Sequence, residues 1–195
     1  MGSQTFIPRD YDVFSGLDVD KRSISVTFTD HNGFLKSLRM PYSAEHLLNH
    51  VRKHFPNKKV AFVYEAGPTG YGLYDGIVAQ SYPCLIAAPS MIPKAPGQRV
   101  KTNRLDSRSL SESLRGGQLK SIHVPSVVYR ELRHLTQLRD VLVSELVGMK
   151  QRIKSLLLFE GIEFPPAPPG SQWSLLVKDK LRKLPCSGTV RFKLD

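Results

Sequence analysis

The sequence predicts a mixed α/β sheet flanked by helices and followed by a long helical arm. Three observations predict it. Apolar and polar residues alternate from Ile24 to Thr29 and then meet Asn32-Gly33, the signature of a strand turning back on itself. Two short continuous apolar runs, Val60 to Tyr64 and Pro83 to Ala88, are separated by a stretch that suits a helix. A third pattern, apolar residues at three-four spacing from Val128 to Leu156, is far longer than a domain of this size needs for a core helix.

The first strand is the apolar segment Val13 to Val19, which carries Gly16, Leu17 and Asp18 near its end. The second holds Ile24, Val26 and Phe28 on one face and Ser25, Thr27 and Thr29 on the other, the period of two expected of a half-buried strand. Asn and Gly both tolerate positive φ, so Asn32-Gly33 predicts a tight turn and Phe34 to Met40 the returning strand. Ala44, Leu47, Leu48, Val51 and Phe55 recur at helical spacing, with Ser43 placed to cap the start and Pro56 just past the end. The two apolar runs then read as strands covered on both faces, with a short helix over Tyr71 to Gln80 between them. Strand, helix, strand in this order implies parallel pairing through a right-handed crossover.

Pro89, Pro93, Pro96 and Gly97 interrupt regular structure and lead to a helix beginning near Thr102 and ending around Gly116-Gly117. Ser121 to Val124 predicts a further short strand. Val128, Leu132, Leu135, Leu142, Leu146, Met149, Ile153 and Leu156 then form a seam of about four heptads, broken by Arg139 alone. Such a seam argues for a coiled-coil or helical-hairpin arm; a helix packed on its own domain is the alternative. Pro165, Pro166, Pro168, Pro169 and Gly170 stop it, and a basic helix follows around Leu175 to Lys183. The organisation expected is a sheet domain over 1–125, an arm over 126–162, and a proline-rich break with a basic tail over 163–195.

With 195 residues and 41% hydrophobic content, the chain can fill a core. Its formal net charge of +11 favours partners that carry phosphate, nucleic acid first. No apolar stretch approaches the about 20 residues of a spanning helix, and the start of the chain lacks a signal-peptide core, so a soluble cytoplasmic protein is expected, nucleoid-associated when bound to DNA. Two cysteines, Cys84 and Cys186, supply neither a disulfide framework nor a paired-cysteine zinc motif. His46, His50 and His54 lie four apart on one helix, but three turns spread them too widely for one tetrahedral ion, and a solvated face is expected.

Three acids fall where such a sheet exposes its strand ends: Asp18 in the first strand, Glu65 closing the Val60 to Tyr64 run, and Asp106 after the proline loop. Converging carboxylates repel unless a divalent cation neutralises them, and two magnesium ions about 4 Å apart are a recurrent device for phosphoryl transfer. Asn103 and Asp106, three apart, share a helix face. Taken singly, each acid is equally the kind of residue that caps a turn or a helix. Lys94, Arg99, Lys101, Arg104 and Arg108 crowd the same loop and suit a nucleic-acid channel; Lys178, Lys180, Arg182 and Lys183 form a second basic cluster in the tail. Gly67, Gly70 and Gly72 lack the Lys-Ser/Thr ending of a P-loop and fit a strand-to-helix turn.

Four ordered blocks carry a family resemblance: Gly16-Leu17-Asp18-Val19-Asp20-Lys21, the run from Tyr64 to Tyr74, Ala88-Pro89-Ser90, and the run from Val100 to Asp106. Together they resemble the Asp-Glu-Asp-Asp transposases, the bridge-RNA-guided insertion-sequence recombinases related to Piv-type DNA invertases, from about Gly16 to Gly161. The resemblance implies a RuvC-like domain of the RNase H fold, magnesium (with manganese as substitute), an oligomerising coiled coil, and binding to DNA and a guide RNA. Carried over by position, the metal-binding catalytic set is Asp18, Glu65, Asn103 and Asp106. Asn103 stands where the family has its third acid; an amide oxygen ligates a cation but brings no charge, so weakened or absent catalysis is expected. The family's further domain with a serine nucleophile is expected to be missing from this chain, and Ser187 does not sit in its motif. The sequence therefore predicts the N-terminal part of a DNA transposase, impaired as an enzyme. The alternative is a non-catalytic, nucleic-acid-binding and oligomerising remnant of one.

Overall fold

A computed structural model of the chain describes residues 6–92, 103–170, 173–185, 188 and 191. The chain divides into two compact units, Met1–Val124 and Pro125–Asp195.

The first unit is built on five strands, β1 (Val13–Val19), β2 (Ser23–Asp30), β3 (Gly33–Pro41), β4 (Val60–Glu65) and β5 (Cys84–Ala87), in spatial order β3-β2-β1-β4-β5. The tight turn at Gly33 (φ 135°) folds β3 back on β2, and Asp30 Oδ1 accepts the backbone N–H groups of Asn32 and Gly33 to hold it. β2 also pairs antiparallel with β1, whereas β4 lies parallel to β1 and β5 parallel to β4. The result is the expected mixed sheet, an arrangement consistent with an RNase H-like domain.

Helices cover both faces. α1 (Ala44–His54) begins where the Ser43 hydroxyl accepts the His46 N–H, and α2 (Gly72–Val78) ends before Ser81, whose φ of 62° breaks the helical path. Both pack on one face, where Val13, Leu17, Ile24, Val26, Phe28, Phe62, Tyr64 and Ile86 meet Leu47, Leu48, Val51, Leu73 and Ile77. α3 (Asn103–Arg115) covers the other face, its Leu110 and Leu114 buried against Phe14, Ala61, Val63 and Leu85. Each such buried side chain contributes about 1.5–3 kcal/mol of hydrophobic stabilisation. Because side chains alternate along a strand, Phe14, Gly16 and Asp18 all point to the α3 side.

Two expectations are corrected. Ser121 to Val124 does not form a strand: Ser121 makes one antiparallel bridge to Ala87 and Ile122 donates its N–H to Ile86 O, while the Ile86 N–H goes to the Ser121 hydroxyl instead of a facing carbonyl. The histidine face is not uniformly solvated either. His50 is half-buried and stacks on Phe28 at 5.8 Å, with the His54 ring 4.2 Å away; burial, then His54 and nearby lysines, push its pKa down. Cys84 is a free thiol, and its burial pushes its pKa up, away from nucleophilic use.

The second unit contains α4 (Val127–Phe159), capped by the Ser126 hydroxyl, and α5 (Leu175–Arg182), capped by Ser174. At about 1.5 Å per residue, α4 is about 50 Å long. Its last turns bury Leu157 against Val177 and Leu181, with Ile153, Ile162, Phe164 and Trp173 around them. The rest of its seam is bare: Val128, Leu132, Leu135, Leu142, Leu146 and Met149 are each half or more exposed. Among the described residues, no helix is long and apolar enough to cross a membrane.

Candidate nuclease-type site

The site starts from a missing side chain. A Cβ on Gly16 would lie 2.1 Å from Ser107 O and 2.4 Å from Ser111 N, so the backbone of α3 rests directly on β1 at this point. Small residues line the contact on both sides. Thr27 Oγ1 lies 2.8 Å from Ser107 Oγ, Thr29 Oγ1 lies 2.7 Å from Ser111 Oγ, and the Ser111 hydroxyl donates to Phe14 O at 3.0 Å. These buried hydroxyls satisfy one another, which removes the cost of placing them between helix and sheet.

That contact sets the acids. Gly16 is two residues before Asp18 on the same face of β1, and Ser107 directly follows Asp106 in the first turns of α3. β4 runs parallel to β1 with Leu17 beside Tyr64, so the next step along both strands places Asp18 next to Glu65. The electrostatics agree: the Asp18 pKa is raised from 3.8 to about 6, first by burial, then by the charges of Asp20, Asp106 and Glu65. Three acids far apart in sequence therefore feel one another at the rim of the sheet.

Their closeness is electrostatic rather than that of a closed ligand shell. Among the described residues, no three His, Cys, Asp or Glu side chains stand together as a ready metal site. The donor set nonetheless fits a hard cation in kind, since it is all oxygen, carries excess negative charge, and includes one carboxylate whose pKa is pushed up by burial and by its acidic neighbours. Asn103 begins α3, but its side chain, like that of Arg104, lies outside the described residues; so do Lys94, Arg99 and Lys101 altogether. Arg108 is described and engaged, its Nε donating to Glu112 at 2.8 Å while its guanidinium sits 5.3 Å over the Phe34 ring.

The sequence reading missed the scaffold of Gly16, Thr27, Thr29, Ser107 and Ser111, and it gave Asp20 no role. Two serines four apart on a predicted helix, facing a glycine in a strand, were the available signal.

Comparison with known proteins decides the family: the DEDD transposase model of the IS110 type, described as a transposase, matches residues 15–160. The chain belongs to this family. It is 37% identical over 158 residues to the transposase y4qE of Sinorhizobium fredii, an alignment covering 79% of this chain and 40% of that protein. It is 27% identical over 158 residues to the transposase for insertion sequence element IS1533 of Leptospira borgpetersenii, covering 79% of this chain and 46% of that one. The chain thus aligns to less than half the length of these curated relatives. Each acid placed at the rim of the sheet falls inside the span shared with the IS110-type transposases.

Proposed function

We propose that this chain is the metal-holding, phosphodiester-directed part of a DNA transposase that works with a guide RNA, and that it assembles with further copies along α4. The observation that carries the reading is the convergence of Asp18, Glu65 and Asp106, felt in the raised pKa of Asp18. Magnesium, or manganese in its place, would be held by these three carboxylates with the Asn103 amide as an uncharged fourth ligand. When bound, such a cation supplies charge neutralisation to the phosphate oxygens of the displacement. The protein's own part is placement: the β1 and β4 ends hold Asp18 and Glu65 side by side, and the Gly16 contact brings α3 and Asp106 down on them.

Asn103 favours a second reading, a nucleic-acid-binding and oligomerising protein without chemistry, because it leaves the set one negative charge short. One titration separates the two. Manganese is expected to broaden the backbone NMR signals of Asp18, Glu65 and Asp106 saturably, and Asn103→Asp to tighten magnesium binding by about tenfold or more. Unsaturable, site-independent broadening in both proteins would remove the metal reading and leave the second.

The bare seam of α4 motivates the assembly. Leu142, 55% exposed, sits mid-seam, and an isolated helix with this much apolar surface is stabilised by a partner helix seated against it. In sedimentation, Leu142→Glu is expected to shift the chain from a multiple of its mass toward a single copy. A wild-type chain that sediments as one copy at micromolar concentration rules the arm out as an assembly surface.

A further inference from the structure

The cross-strand register that brings Asp18 beside Glu65 continues in the other direction. Asp18 pairs with Ser25 of β2, and Ser25 pairs with Arg39 of β3, so Glu65, Asp18, Ser25 and Arg39 form one row across four strands, all on the α3 side of the sheet. Two strand spacings, roughly 10 Å, separate the backbones at Asp18 and Arg39. Arg39 is the cationic end of a row whose other end is acidic.

Its side chain is exposed but not loose. The Ser23 hydroxyl accepts from Arg39 Nε at 3.0 Å and from Nη2 at 2.7 Å, and Asp20 Oδ2 lies 3.8 Å from Nη2. These contacts hold one edge of the guanidinium toward the strand ends, and among the described residues Nη1 has no partner. The side chain is 68% exposed, so that outer edge faces solvent.

We infer that Arg39 is a backbone-phosphate anchor for the nucleic-acid strand lying across the Asp18 site, gripping a phosphate beside the one that the carboxylates address. The inference deepens the proposed function and rests on it. A phosphate is the ligand this geometry suits: a planar fork fixed along one edge presents its remaining N–H donors in a set direction, which is how arginine recognises phosphate oxygens. Position supplies the purpose. A strand held at Arg39 passes along the row toward Asp18, and a positive group there offsets the repulsion that the acids impose on any approaching phosphodiester.

The test is the salt dependence of binding by the full chain to a fluorescein-labelled mixed-sequence DNA duplex, with calcium present, measured for wild type, Arg39→Ala, Arg39→Lys and Ser23→Ala. Arg39→Ala is expected to lower the slope of log affinity against log salt by about 0.9, one phosphate's share. Arg39→Lys is expected to keep the slope but bind several-fold more weakly, since a lysine ammonium lacks the fork. Ser23→Ala is expected to do the same, with the charge unchanged and the fork released. An Arg39→Ala protein with wild-type slope and affinity overturns the inference while leaving the parent reading standing. A wild-type chain with no salt-dependent binding at all overturns both. The side-chain contacts described for Arg39 lie at the surface, with Ser23 and Asp20, so matching thermal melts are expected for all four proteins.

Discussion

Gly16→Ala is expected to cost about 3 kcal/mol or more, a large share of the 5–15 kcal/mol that holds a domain of this kind together. The added methyl would stand 2.1 Å from a carbonyl oxygen and 2.4 Å from an amide nitrogen, both in the backbone of α3, and no rotamer change relieves a clash with backbone. The helix must lift off β1. Overpacking of a core typically costs about 1–3 kcal/mol when side chains yield, so a contact between two main chains belongs at or beyond the upper end. Lifting α3 also breaks the Thr27–Ser107 and Thr29–Ser111 hydroxyl pairs and carries Asp106 away from Asp18. Urea unfolding should show the midpoint falling sharply, and amide exchange in α3 should accelerate before that of the sheet. Ser111→Ala provides the comparison: it removes hydrogen bonds without demanding space and is expected to cost about 1–2 kcal/mol. A Gly16→Ala midpoint equal to wild type would mean that α3 does not rest on β1 in this way.

The difference between what was legible in the sequence and what was not follows the same contact. The strands were legible because each carries a local signal: alternation in Ile24 to Thr29, the Asn32-Gly33 turn, and the continuous run before Glu65. Once β1 and β4 are read as parallel, Asp18 and Glu65 must neighbour each other, because each closes an apolar run at the same end of the sheet. Asp106 was legible as an acid following the proline loop, but its nearness to Asp18 was not, since that depends on how deeply α3 sinks onto the sheet. That depth is set by an absence at Gly16 and by Ser107 and Ser111, residues that single-sequence patterns assign to a solvated helix face. His50 was misread for a related reason. It borders the buried stripe of Leu47 and Val51, and the flat ring of Phe28, contributed from a distant strand, turns a polar position into a packed one. The strand expected at Ser121 to Val124 failed because strand propensity says nothing about the Ser121 hydroxyl, which takes the Ile86 N–H that a longer ladder would pair with backbone, so a single bridge remains.

Asp18→Asn is expected to stabilise the metal-free protein above pH 6, and this gain should vanish in acid. The pKa of Asp18 stands at about 6 in the folded chain against 3.8 for an ordinary aspartate, so the folded state holds the proton more tightly than the unfolded one. The stability linked to that proton is fully present below about pH 3.8 and is lost as pH rises through about 6. A displacement of this size corresponds to about 3 kcal/mol at most, and solvent screening at this half-buried position reduces the expected gain to about 1–2 kcal/mol. Thermal melts of the two proteins should therefore coincide near pH 3.5 and diverge by a few degrees at pH 7.5. Magnesium should reverse the order. A cation that binds only the folded wild type adds about 2.7 kcal/mol at one hundred times its dissociation constant, while Asp18→Asn, having lost a ligand, gains far less. The crossing of the two melting curves on addition of magnesium is the signature of a carboxylate whose strain is relieved by the ion. Two curves that stay parallel, with and without magnesium, would mean that the acids meet at the rim of the sheet without sharing a cation.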